Sequence, residues 1–228
     1  MMTSSAHHSK IALVLVDIQY DFLESGSLPV PEASHIIPNV QQLITFVQAR
    51  QGLIIATQDW HPSNHTSFAS NHTSKRPFDT IQLNYNDQSY IQVLWPDHCV
   101  QHTPGAELVQ DIQSAVQIIV QKGTNPDVDS YSGFADNQYH EITSLAKHLY
   151  QHTIDTVIVC GLAADYCVKM TCLDALKFGF KTILVKDATR AVIPDHLDQT
   201  LQSLIEKGIM VAPSTQALIS DPTFYHLA

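Results

Sequence analysis

Six short apolar runs punctuate the chain, and between them apolar positions recur at helical spacing. Residues 11–16 (IALVLV), 53–56 (LIIA), 117–120 (QIIV), 156–160 (TVIVC), 181–185 (KTILV) and 209–212 (IMVA) read as strands. They are rich in Ile, Val and Leu and barely alternate, which is the pattern of strands covered on both faces, as in a parallel sheet. Helical patterns run over 33–51, 105–113, 140–151, 164–178 and 195–207. Gly52 and Gly179 stand where C-terminal caps are expected. Strand and helix alternate throughout, so the fold class is α/β, a layered sandwich with right-handed crossovers. No repeat or linker divides the 228 residues, and a single domain over 1–228 is expected, with a loose polar tail at 1–10. Residues 58–103 break the rhythm as a long polar connection, and loops of that length are often functional.

Composition narrows the function classes. The formal net charge is −10 and no Lys/Arg run is present, which argues against nucleic acid and other polyanionic partners. No apolar stretch is long enough to span a membrane. The four cysteines, Cys99, Cys160, Cys167 and Cys172, form no CxxC pair and follow no secretory signal. Free thiols in a reducing cytoplasm are therefore expected rather than disulfides or a structural zinc knuckle.

Candidate chemistry gathers just after the predicted strands. Asp17 follows the first, Asp59 the second, Lys122 the third, and GLAADYC (161–167) the fourth. In a doubly wound sheet ligands bind outside the carboxyl ends of the strands. Cys167 falls where a helix begins, so the helix dipole and a nearby lysine are expected to lower its pKa. Asp17 can take the thiol proton and return it to a leaving amine. Backbone N–H groups of the turn and of Cys167 can hold an oxyanion. Seen alone, a free cysteine is usually a small core residue; its arrival beside Asp17 and Lys122 changes that reading.

A second cluster is DWHPSNH (59–65) with WPDH (95–98). Asp59 and His61, one residue apart in an extended segment, project to the same side, and His98 from a distant loop completes a set with open positions. Carboxylate and imidazole suit one Zn, Fe or Mn ion, and open positions imply a catalytic site. With 13 histidines in the chain, the Asp-x-His spacing carries little weight by itself.

Taken together, VLVDIQYDF (14–22), TQDWHPSNHTSF (57–68), WPDHCV (95–100), KGTNPDVDSYSGF (122–134) and VCGLAADYCV (159–168) resemble the nicotinamidases of the isochorismatase-like hydrolase superfamily. The resemblance implies a three-layer α/β/α sandwich around a six-stranded, mainly parallel sheet ordered 3-2-1-4-5-6. It implies a catalytic triad of Asp17, Lys122 and Cys167, an oxyanion hole at Ala163 and Cys167, and a cis peptide between Leu162 and Ala163. It implies metal ligands at Asp59, His61 and His98; His65 matches a position that ligates in some relatives and not in others. Phe22, Trp95 and Tyr131 match aromatics that sandwich a pyridine ring, and Tyr166 stands where some relatives carry His. The implied activity is hydrolysis of nicotinamide to nicotinate and ammonia in NAD salvage, with pyrazinamide as a side substrate, and a homo-oligomer is compatible with it. Two other readings stay open at the level of sequence. One is an Asp-Lys-Cys amidohydrolase for carbamoyl or ureido substrates, whose members typically lack the metal cluster. The other is a non-catalytic metal or thiol sensor, which needs neither Lys122 nor the 161–167 turn.

Overall fold

In the computed structural model, which describes residues 10–225, six strands form one parallel sheet. In chain order the strands are β1 (Ile11–Val16), β2 (Leu53–Asp59), β3 (Thr80–Tyr85), β4 (Gln88–Val93), β5 (Ile118–Lys122), β6 (Thr156–Leu162), β7 (Lys181–Arg190) and β8 (Met210–Ala212). The sheet runs β5-β2-β1-β6-β7-β8, and β3 pairs with β4 in a separate antiparallel hairpin. Counting only the strands of the large sheet, this is the expected order 3-2-1-4-5-6. The switch point lies between β1 and β6, so the ends of these two strands and of β2 and β5 open onto one crevice.

The continuous apolar runs are explained by two cores. Ile11, Leu13 and Leu15 of β1 pack on one face with α1 (Ile37–Gln48), α2 (Gln110–Gln113) and α6 (Thr215–Ser220). Ala12, Val14 and Val16 point to the other face, against α3 (Leu145–Gln151), α4 (Cys167–Lys177) and α5 (Leu197–Glu206). All six residues of β1 are buried, so no position on it needs to be polar.

Several boundaries differ from the sequence pattern. The helical spans at 33–51 and 195–207 begin as 3-10 turns that run into α1 and α5, whereas in 105–113 a 3-10 turn at 104–106 is separated from α2 by extended backbone at Glu107 and Val109. The span at 140–151 shortens to α3, and that at 164–178 starts only at Cys167. Gly179, at φ +84°, is a left-handed cap as expected. Gly52 is not: Gln51 takes the positive φ, and Gly52 is small because a Cβ there would lie 2.6 Å from Val47 and 2.8 Å from the Ile11 carbonyl.

The stretch 58–103 is not a plain loop. Its start completes β2, and 80–93 form the β3–β4 hairpin, turned by Asn86 and Asp87 at φ +45° and +63°. Two consecutive left-handed residues make the turn whose twist suits a two-residue hairpin. Of the tail expected at 1–10, residues 1–9 lie outside the described residues, while Lys10 donates its backbone N–H to Asp155.

Candidate active site

Three strand ends bring Asp17, Lys122 and Cys167 together. Asp17 follows β1 at φ +49°, fully buried, and its Oδ1 accepts a 2.6 Å hydrogen bond from Thr57 on β2. Lys122 ends β5, paired in register with Asp59 on β2. Its buried ammonium sits 2.9 Å from Asp17 Oδ2, 2.5 Å from Asp59 Oδ1 and 3.5 Å from Cys167 Sγ. Cys167 is the first residue of α4, delivered by a tight turn in which the Ala163 carbonyl accepts from the N–H groups of Tyr166 and Val168. Gly161 opens that turn at φ +119°, where a Cβ would stand 2.1 Å from the Val16 carbonyl, so only glycine lets β6 pass β1 there. The Leu162–Ala163 peptide is cis.

The electrostatics follow from burial. Desolvation raises the Asp17 carboxyl to about 6, against the pull of Lys122 and with a further push from Asp59. Burial also opposes ionisation of Asp59, but Lys122, His61 and His98 outweigh it and hold that carboxyl well below its ordinary range. The lysine, buried between two carboxylates, keeps its proton. The lowered pKa expected for Cys167 is not found. Burial pushes the thiol well up, and Asp17 and Asp59 add to it, more than Lys122 takes away. The sequence pattern shows the lysine and the helix start but not the two carboxylates that cancel them.

Asp59 joins this group to the metal-type cluster. While Oδ1 faces Lys122, Oδ2 faces His61 Nε2 at 3.6 Å and His98 Nε2 at 3.9 Å. Each ring has its other nitrogen on a carbonyl: His61 Nδ1 lies 2.9 Å from Gly123 O and His98 Nδ1 lies 2.8 Å from Pro96 O. A carbonyl only accepts, so Nδ1 carries a hydrogen in each ring, and whenever a ring is neutral its Nε2 lone pair faces the carboxylate. In their neutral form both rings present a lone pair towards the same carboxylate oxygen, the arrangement a shared cation would use. Ligands at about 2.1 Å around a tetrahedral ion lie about 3.4 Å apart, so this donor set fits a divalent ion after closing by a few tenths of an ångström. His98, buried and near His61, is lowered to about 4 and is neutral at neutral pH. His61 is raised, because Asp59 outweighs its burial. Gly123, at φ +64°, makes the close approach possible, since a Cβ would stand 2.3 Å from the His61 ring.

His65 packs against His61 with ring centroids 4.3 Å apart and the rings tilted by 45°, but it groups with His61 and Asp129 rather than with Asp59 and His98. The predicted ring contacts converge on the same cavity. Phe22, Trp95, Tyr131 and Tyr166 line it together with the metal-type donors, Ala163 and Cys167. Trp95 meets Tyr166 edge-on at 4.8 Å and donates from Nε1 to the Tyr131 hydroxyl at 3.3 Å.

Four supporting residues escape sequence reasoning. Thr57 fixes Asp17. Gln19 accepts from the Asp59 N–H and donates to the Asp59 carbonyl, clamping the end of β2. Asp21 accepts from the Cys99 N–H next to His98 at 2.7 Å. Gln92 of β4 reaches Asp129 in the cavity wall. Gln19 and Asp21 lie inside the VDIQYDF motif, which is the one signal that could have flagged them.

Comparisons with known proteins identify the family. The isochorismatase domain family matches residues 11–216. The nicotinamidase of Escherichia coli is 47% identical over 182 residues, covering 79% of this chain and 83% of its own. That of Acinetobacter baylyi is 43% identical over 211 residues, covering 91% and 94%. The structure of the pyrazinamidase of Pyrococcus horikoshii in complex with zinc superposes with a TM-score of 0.73 at 40% identity, covering 89% of this chain and 98% of that one. The chain thus belongs to the isochorismatase family and, within it, to the nicotinamidases.

Proposed function

We propose that this chain hydrolyses nicotinamide to nicotinate and ammonia, through a thioester on Cys167, and serves NAD salvage. The observation that carries the reading is the ammonium of Lys122, 2.9 Å from Asp17 and 3.5 Å from the Sγ of Cys167, which itself lines a cavity with Asp59, His61 and His98. Nucleophile, base and orienting charge are then within reach of one bound amide.

Because the thiol is raised by burial, Cys167 keeps its proton until attack. Asp17 takes that proton as sulfur bonds to the amide carbon. The Ala163 and Cys167 N–H groups receive the oxyanion. Asp17 then protonates the amine nitrogen, the C–N bond breaks and ammonia leaves. Water attacks the thioester and gives its proton to Asp17; the C–S bond breaks, and Cys167 regains the proton as nicotinate departs. Lys122 stays charged and steadies the carboxylate between transfers. Phe22, Trp95, Tyr131 and Tyr166 hold the ring, and the same walls admit pyrazinamide. Asp59, His61 and His98 would hold one divalent ion, with Zn, Fe and Mn all suited to these donors. When bound, the ion supplies Lewis acidity to the ring nitrogen and a fixed anchor for the pose.

Ammonia release separates this reading from its competitors. Nicotinamide should be turned over, and N-carbamoyl or ureido compounds should not; the reverse preference would refute the assignment. Dialysis against a strong chelator should depress turnover, and adding back a divalent ion should restore it. Full activity in a metal-free preparation would remove the metal from the reading. The pH profile has a stated sign. Asp17 must be ionised to act as base and titrates at about 6, so kcat/KM should fall tenfold per unit as pH drops below about 6. A profile flat down to pH 4 would exclude Asp17 as the base.

A further inference from the structure

A second group of metal-type donors adjoins the first and shares His61 with it. Ligand atoms of His61, His65 and Asp129 lie within 4.8 Å of one another, and all three residues are buried. Two features of this group are unexplained by packing. His65 Nε2 is buried with no hydrogen-bond partner, while its Nδ1 rests on Ser67 Oγ at 2.7 Å. Asp129 is a buried carboxylate in the cavity wall, held only by neutral donors: Gln92 Nε2 at 2.8 Å on one oxygen and the Ser130 N–H at 2.8 Å on the other. Among the described residues no Lys, Arg or His nitrogen forms an ion pair with it. A buried carboxylate facing imidazoles and lacking a cation is costly unless a cation arrives.

Charge counting around Asp59 points the same way. Lys122 already draws on Asp59 and Asp17 together, so the carboxylate charge left for a divalent ion at Asp59, His61 and His98 is small. Asp129, which lines the same cavity as Asp59, His61 and His98 and lies within 4.8 Å of a His61 ring nitrogen, supplies a second carboxylate. We propose that Asp129, beside His65, is the second carboxylate of the metal site, a positioning residue that reaches the ion directly or through one bound water on its open face. The loop 123–131, which also carries Tyr131, thereby ties the ring-binding wall to the ion. The inference rests on the reading of Asp59, His61 and His98 as a metal site.

The test is metal affinity, not turnover. Chelator competition with Mn(II) and with Zn(II) should show Asp129→Asn binding at least tenfold more weakly than the unaltered chain, as lost outer partners of metal ligands commonly do. The metal-free melting temperature of the variant should be unchanged or higher, since a buried charge has been removed. A merely structural Asp129 would give the opposite pair, an unchanged metal Kd with a lower metal-free melting temperature, and would overturn the inference. If the variant does not fold, anomalous diffraction from Mn(II)-loaded crystals of the unaltered chain decides. The Asp129 carboxylate should lie on the ion or one water from it, and a carboxylate turned away with no such link would overturn the inference. An unaltered chain that binds neither metal would instead bring down the metal site itself.

Discussion

Cys167→Ala should abolish ammonia release from nicotinamide, by about 10⁴-fold or more, while leaving the fold intact. Removing a nucleophile that works with its base as one unit costs nearly as much as removing the whole unit. Residual turnover would then come from binding and the oxyanion hole alone. The fold should survive because the sulfur is a small group at the rim of one core, with Val168 and Cys172 carrying the helix contact. The measurement pairs an ammonia assay with a melting curve. Near-normal turnover would eliminate the thioester route. A melting temperature lowered in step with activity would mean that Cys167 acts through packing.

Lys122→Met should lose both activity and stability. Lys122 is 2% exposed, and its ammonium lies between Asp17 and Asp59. Methionine matches the length of the stem but leaves two buried carboxylates without their cation. Breaking a buried pair on one side costs about 3–5 kcal/mol, which for a chain of this size lowers the melting temperature on the order of 10 °C. One carboxyl must also take up a proton. Asp17 loses the charge that opposes its desolvation, so whatever activity remains should have its acid limb moved above pH 6. Thermal melts and a pH profile of the variant check both effects. A melting temperature within one or two degrees of the parent would show that Lys122 is not the cation these carboxylates depend on.

The two variants separate what the sequence displays from what only packing decides. The apolar runs of β1 and β6 are continuous because both faces are buried, and that pattern alone places them in the sheet centre. Asp17, Asp59, Lys122 and Cys167 are legible because each stands at or just beyond the end of such a run. The hairpin at 80–93 was hidden. Its strand β3 alternates exposed and half-buried positions, but the turn is Asn86–Asp87 and lacks the glycine that usually marks one. The direction of the Cys167 shift was hidden for another reason. Burial and two carboxylates arrive through strand pairing, whereas the sequence shows only the lysine and the helix start. Asp129 likewise has no spacing that ties it to His61 and His65; the contact is made by the chain's return from β5. Positions set by local pattern were readable, and charges set by distant neighbours were not.

A crystal structure of Cys167→Ala loaded with a divalent ion and soaked in nicotinamide tests the site most directly. The ring should lie among Phe22, Trp95, Tyr131 and Tyr166, its nitrogen turned towards Asp59, His61 and His98, and its carboxamide carbon against residue 167 beside Asp17. A ring bound with the carboxamide pointing away from residue 167, or bound outside this cavity, would contradict the chemistry assigned to it.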